Sequence, residues 1–96
     1  MDFKVSIMWY VYIIQSKKDD DFYVGLTNDL RRRLKQHNES KVPATKFRTP
    51  FELAYYEAHH NKYDAARREQ FLKSGWGKNW IKRTLLKYLE SKKLGG

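Results

Sequence analysis

The sequence predicts an α+β domain, a small three-stranded sheet covered by helices in the order β-β-α-β-α-α. Two observations carry this. Trp9-Tyr10-Val11-Tyr12-Ile13-Ile14 and Phe22-Tyr23-Val24-Gly25-Leu26 are β-branched and aromatic runs flanking the polar turn Ser16-Lys17-Lys18-Asp19-Asp20-Asp21, which makes a hairpin. Helical spacing then dominates the chain, interrupted by a third strand-like run, Glu52-Leu53-Ala54-Tyr55-Tyr56-Glu57.

The remaining elements follow in order. Residues before Trp9 read either as a short strand extension or as a loose tail. Thr27-Asn28-Asp29 offers side-chain oxygens to cap a helix running from Leu30 through His37 and stopping near Asn38. Glu39 to Pro50 holds both prolines and reads as an exposed loop. Asp64 is expected to cap a second helix from Ala65 to about Ser74, broken by Gly75-Trp76-Gly77. A final amphipathic helix is expected over roughly Lys78 to Lys92, its apolar stripe formed by Ile81, Leu85, Tyr88 and Leu89.

Ninety-six residues suit one domain over 1–96, with a core at about 8–90, and are too few for two separate cores. No cysteine is present, so disulfides and thiolate metal sites are excluded. Their absence, and a start without a signal-peptide pattern or spanning apolar stretch, leads to the expectation of a soluble, cytoplasmic protein. Twenty Lys and Arg against eleven Asp and Glu give a formal charge of +9, which favours a polyanionic partner.

Polar groups interrupt two apolar stripes. Leu30 and Leu34 define the inner face of the first helix, and helical spacing extends it to Arg33 and His37. Arg31, Arg32 and Lys35 fall elsewhere, as ordinary surface. Spacing alone admits a snorkelling arginine and a boundary histidine as well as a functional pair. Ala65 and Leu72 define a second inner face with Glu69 between them. A carboxylate there must be paired, protonated or bound to a cation; a salt bridge, with Arg33 for example, competes with a role as oxygen ligand for Mg²⁺. Tyr12 and Tyr23 flank the turn and are placed to face each other across the hairpin. Gly25 weakens a strand interior, and a glycine there marks close approach of another backbone or a ligand.

Tyr10-Val11-Tyr12, Tyr23-Val24-Gly25, Leu30-Arg31-Arg32-Arg33-Leu34 with His37, and Arg68-Glu69 on a later helix resemble the GIY-YIG nuclease superfamily. The chain's size is similar to minimal single-domain members related to the UvrC N-terminal domain. Tyr10 and Val11 stand where the family name has Gly-Ile, and Val24 stands for Ile. The resemblance implies a metal-dependent endonuclease that hydrolyses nucleic-acid phosphodiester bonds, DNA first, with one Mg²⁺ or Mn²⁺ ion. It implies catalytic roles for Tyr12, Tyr23, Arg33, His37 and Glu69, with Glu69 as metal ligand and Tyr12 as preferred base. Asn79 is the nearest counterpart of a family asparagine.

The basic loop offers Lys41, Lys46 and Arg48 to phosphates, Thr45 as a hydrogen-bond donor and Phe47 as a stacking ring. An ordinary basic loop is the alternative. With no room for an appended specificity domain, targeting is assigned to weak selectivity or to a protein partner. The rival function is a nucleic-acid-binding module without cleavage.

Overall fold

The computed structural model describes residues 7–93. The expected tail or strand extension before Trp9 falls, for residues 1–6, outside the described residues. The hairpin forms as β1 (Trp9–Ser16) and β2 (Phe22–Thr27), followed by α1 (Leu30–Asn38) and β3 (Phe51–His59). Three helices complete the chain: α2 (Lys62–Lys73), α3 (Gly75–Thr84) and α4 (Leu86–Lys93).

The sheet is antiparallel throughout, in the order β2-β1-β3, so β1 is the central strand. Alternation along β1 sends Val11 and Ile13 to one face and Tyr12 and Ile14 to the other, and all four are buried. Val11 and Ile13 meet Ala65 and Leu72 of α2, Ile81 of α3, and Leu85. Tyr12 and Ile14 meet Phe51, Tyr23, Leu30 and Leu34. Three helices thus cover one face, and the nine-residue α1 covers the other. Register between β1 and β3 slips between Ile13 and Ile14, leaving Ala54 as the extra residue of a bulge.

A charged cluster pins α2 to β3. Arg68 Nε donates to Glu57 Oε1 at 2.7 Å, Tyr55 Oη donates to Glu57 Oε2 at 2.9 Å, and His59 Nε2 lies 3.1 Å from Glu57 Oε1. The Arg68 guanidinium also sits 4.5 Å from the Trp80 ring centre, tying α3 into the same cluster. Burial pushes the Glu57 carboxyl up, but Arg68, His59 and Tyr55 together hold it below the usual glutamate value.

The helical half departs from the sequence reading in three places. The α2 cap is Asn61, whose side chain accepts from Tyr63 N at 2.8 Å; Asp64 lies in the first turn and pairs with Arg67. The break before α3 falls at Ser74, whose hydroxyl accepts from Gly77 N at 3.2 Å, and Gly75 to Gly77 form the first turn of α3. The final helix is two, with Leu85 between them. Bonds from Leu85 N to Ile81 O and from Leu89 N to Leu85 O, both 2.9 Å, run through the junction, so it is a bend. Across that bend Ile81, Leu85, Tyr88 and Leu89 all still reach the core.

Gly77 has a packing reason: a Cβ there would overlap the backbone of Phe71 and Leu72. Gly75 has open space around its Cβ position. Gly77→Ala is therefore expected to cost about 1–3 kcal/mol by forcing α3 off α2. Gly75→Ala should be neutral or stabilising by up to about 1 kcal/mol. Equilibrium urea unfolding of both variants checks this, and equal losses at the two positions would reject the packing argument.

Candidate active site

The site grows from Tyr12. Its Cα partner across β2 is Gly25, and a Cβ on Gly25 would overlap the Tyr12 phenol. The Tyr12 ring thus lies over the β2 backbone, in space available only because residue 25 has no side chain. Tyr23 pairs with Ile14, so the two tyrosines are diagonal neighbours on one face and not directly opposed. That corrects the face-to-face placement expected from the sequence.

Helix α1 delivers the next two groups. Asp29 caps it by accepting from Arg32 N at 3.1 Å. Asn38 closes it onto β3: Phe51 N donates to Asn38 Oδ1 at 2.7 Å, and Asn38 Nδ2 donates to Phe51 O at 3.1 Å. Clamped at both ends, α1 presents His37 fully buried, its ring centre 5.2 Å from Tyr23 and 5.9 Å from Phe51. His37 Nε2 lies 2.7 Å from the Tyr12 hydroxyl, and Nδ1 lies 2.7 Å from Thr45 Oγ1. Arg31 and Arg32 are exposed, whereas Arg33 is half-buried. Arg33 Nη1 donates to Gln36 Oε1 at 3.2 Å, and its buried Nε has no hydrogen-bond partner among the described residues.

Glu69 on α2 is half-buried beside the site, and Lys73 Nζ lies 3.3 Å from its Oε2. The ion-pair partner is therefore Lys73, one turn away, and not Arg33. Arg33, Tyr23 and Glu69 all act electrostatically on the Tyr12 phenol. Burial is the largest effect and raises the phenol above its ordinary value; Arg33 opposes it, while Tyr23 and Glu69 add to it. His37 moves the other way, held down to about 4 by burial and then by Arg33. At neutral pH, phenol and imidazole are both uncharged.

A cleft of about 290 Å³ beside Arg33 is also lined by Trp9, Asn28, Arg32 and Gln36. A second, of about 330 Å³, is lined by Tyr23, Lys73, Lys78 and Lys82 together with Leu72 and Ile81. Among the described residues, no three His, Cys, Asp or Glu side chains cluster as a metal cage. Glu69, paired with Lys73, is a single carboxylate of the kind that suits a hard ion keeping most of its waters.

The loop residues divide. Lys41 and Lys46 are exposed, with Lys41 Nζ 3.6 Å from Glu39 and Lys46 over the Phe47 ring. Arg48 instead gives its fork to Asp19, with Nε at 2.7 Å from Oδ2 and Nη2 at 3.3 Å from Oδ1. This contact fastens the loop to the β1–β2 turn and holds the Asp19 carboxyl down to about 2. Thr45 is fully buried, its hydroxyl on His37 and not at the surface. Asn79 is exposed on α3. The link from Thr45 to His37 was not legible, since nothing in the sequence says where a loop hydroxyl folds back.

The family description of the GIY-YIG catalytic domain matches residues 8–83. The chain belongs to the GIY-YIG family. A UPF0213 protein of Clostridium perfringens is 42% identical over 67 residues, spanning 69% of this chain and 71% of that protein. A UPF0213 protein of Bacillus licheniformis is 34% identical over 88 residues, spanning 91% and 84%. The solution structure of a UPF0213 protein from Bacillus halodurans is 36% identical, covers 77% of this chain and 81% of its own, and superposes with a TM-score of 0.49. The names of these relatives give a family number and no activity. Among the described residues of this GIY-YIG chain, no helix is long and apolar enough to cross a membrane.

The His37 environment sets a pH dependence. Unfolded, its imidazole titrates near its ordinary 6.5; folded, near 4. Between those values the unfolded chain binds more protons, so this contribution to stability is complete above about 6.5 and falls as pH drops toward 4. The full loss amounts to about 3 kcal/mol. Urea unfolding at pH 7 and pH 4.5 should show a larger acid loss in wild type than in His37→Gln. Identical losses would mean that His37 is not held neutral.

Proposed function

We propose that this chain is a metal-dependent endonuclease that hydrolyses nucleic-acid phosphodiester bonds, with DNA as its first substrate. The observation that carries the reading is the buried Tyr12 phenol, bonded to His37 and within electrostatic reach of Arg33, Tyr23 and Glu69. A purely structural tyrosine needs one hydrogen-bond partner, not a guanidinium and a carboxylate within reach as well.

Phosphodiester hydrolysis requires an aligned water, neutralisation of charge on the phosphoryl oxygens and help for the departing oxygen. Arg33 meets the second need: its guanidinium is always charged and its fork matches phosphoryl oxygens. Glu69 is the ligand proposed for one Mg²⁺ or Mn²⁺, which when bound acts as Lewis acid on the phosphate and on the leaving 3′ oxygen. Tyr12 is assigned to the reacting water. Because burial raises its phenol, the phenolate able to take a proton from water forms only with cationic charge beside it, and Arg33 is the resident source. Tyr23 and His37 pack around Tyr12 and restrict its ring. Lys41 and Lys46 are the exposed loop cations proposed to hold flanking phosphates, weakly and without reading bases. Selection among substrates would then rest with a partner protein.

A panel of labelled single-stranded, duplex and branched DNA and RNA, incubated with Mg²⁺, Mn²⁺, Ca²⁺ or a chelator, tests the reading. Cleavage in Mg²⁺ or Mn²⁺ that vanishes on chelation is expected; tight binding without cleavage across the whole panel would leave a binding module. Tyr12→Phe should lower single-turnover cleavage about a hundred- to ten-thousandfold while affinity measured in Ca²⁺ survives. A rate within a few-fold of wild type would remove Tyr12 from the reaction. Arg33→Lys should be nearly as damaging as Arg33→Ala, since an ammonium does not reproduce the fork, whereas Arg31→Lys and Arg32→Lys should be mild. Equal tolerance at all three positions would reduce the run to a basic surface.

A further inference from the structure

The buried hydrogen bonds around His37 form a chain whose direction is fixed at both ends. His37 is neutral, so one ring nitrogen donates and the other accepts. Its two partners are hydroxyls, Tyr12 on Nε2 and Thr45 on Nδ1, each at 2.7 Å. A hydroxyl serves as donor or acceptor, so these three groups alone allow either direction. The groups beyond them do not. The Tyr12 hydroxyl has no other acceptor among the described residues, so its proton goes to His37 Nε2. At the other end the Thr45 hydroxyl reaches the Val42 carbonyl, an acceptor only, at 3.5 Å. A single arrangement satisfies every member. Tyr12 O–H donates to His37 Nε2, His37 Nδ1–H donates to Thr45 Oγ1, and Thr45 O–H donates to Val42 O.

We propose that Thr45 is a positioning residue that holds His37 as its Nδ1–H tautomer and thereby turns the Tyr12 hydroxyl proton inward. This rests on the assignment of Tyr12 to the reacting water. With its proton directed at His37, the phenol oxygen keeps its lone pairs for an incoming water, and it takes the water's proton only as its own passes to His37 Nε2. In the opposite tautomer Nε2–H would donate to the phenol, and the phenolic proton would be left without an acceptor among the described residues. Thr45 and Val42 are both buried, so bulk water is not on hand to replace the hydroxyl. The loop that reads as a phosphate-binding element therefore also carries the support of the catalytic pair.

Long-range ¹H–¹⁵N correlation spectra of the ¹⁵N-labelled protein without substrate report the tautomer of each histidine directly. Wild type should show His37 protonated on Nδ1 and bare on Nε2. Thr45→Val, which removes the hydroxyl acceptor, should move His37 toward Nε2–H, and Thr45→Ser should retain the wild-type pattern. In the cleavage assay Thr45→Val should lose about ten- to a hundredfold in rate, the range typical of groups that orient a functional histidine, with Thr45→Ser near wild type. An Nε2–H pattern in wild type, or an unchanged Nδ1–H pattern in Thr45→Val, would overturn the assignment. If Thr45→Val does not fold, the wild-type and Thr45→Ser spectra still decide it. The spectra need no substrate, so an inactive wild type with the expected tautomer would count against the nuclease reading and not against this one.

Discussion

One steric fact organises the molecule: the Tyr12 ring occupies the place a side chain at residue 25 would need. Tyr12 sits in the middle of the central strand, where neighbours on both sides normally fill the face with their own side chains. Gly25 vacates one such position, and the phenol lies across it. Once there, the hydroxyl is in a low-dielectric setting and must find partners, because an unsatisfied buried hydroxyl costs about 1–3 kcal/mol. The rest of that face follows as a supply of partners. Helix α1 is capped at Asp29 and clamped at Asn38 so that His37 meets the hydroxyl, and the loop to β3 folds back so that Thr45 meets His37.

The two faces of the sheet consequently do different work. Val11 and Ile13 are covered by α2, α3 and α4, an apolar core in which Gly77 allows the backbones of α2 and α3 to touch. Tyr12 and Ile14 are covered by one short helix and a loop, and their surroundings include a histidine, a threonine and an arginine. Polar groups on that side are tolerable because the first face carries most of the apolar burial. The loop itself is secured by polar links to the hairpin: Ser16 Oγ donates to Arg48 O at 2.6 Å, Lys18 Nζ to Phe47 O at 3.0 Å, and Arg48 grips Asp19. An arginine that reads as a phosphate ligand thus serves first to hold Thr45 in place.

Much of this was legible from side-chain periodicity. Leu30 and Leu34 define a helical face, and the same spacing singles out His37, which is fully buried, and Arg33, which is the partly buried member of its run. The stripe of Ala65 and Leu72 likewise brackets Glu69, whose ion-pair partner proves to be Lys73. Gly25 announces a close approach without saying what approaches. Illegible parts depend on tertiary choices that no local pattern encodes. Ser74 outcompetes two glycines as the helix boundary because its hydroxyl caps α3, while Gly77 is present for contact and not for breaking. The bend at Leu85 preserves the apolar stripe, so periodicity does not register it. Thr45 and Arg48 lie in a loop, where composition suggests solvent exposure, yet one is buried and the other paired.

The electrostatic consequence of the burial is an acid–base pair pushed apart. Desolvation raises Tyr12 and lowers His37, so proton transfer from phenol to imidazole becomes less favourable than between the free groups, and the pair rests uncharged. A phenol in that state is inert toward water until positive charge is brought close. Arg33 alone does not suffice, since the Tyr12 phenol remains raised with the guanidinium beside it. On the proposed reading, the remaining positive charge would come from a cation held at Glu69. The same interior that makes the hydroxyl hard to ionise therefore makes its ionisation conditional on a loaded site. That argues for placing the reactive phenol inside the sheet's packing and not on an exposed loop, where it would meet water whether or not the site held its cation.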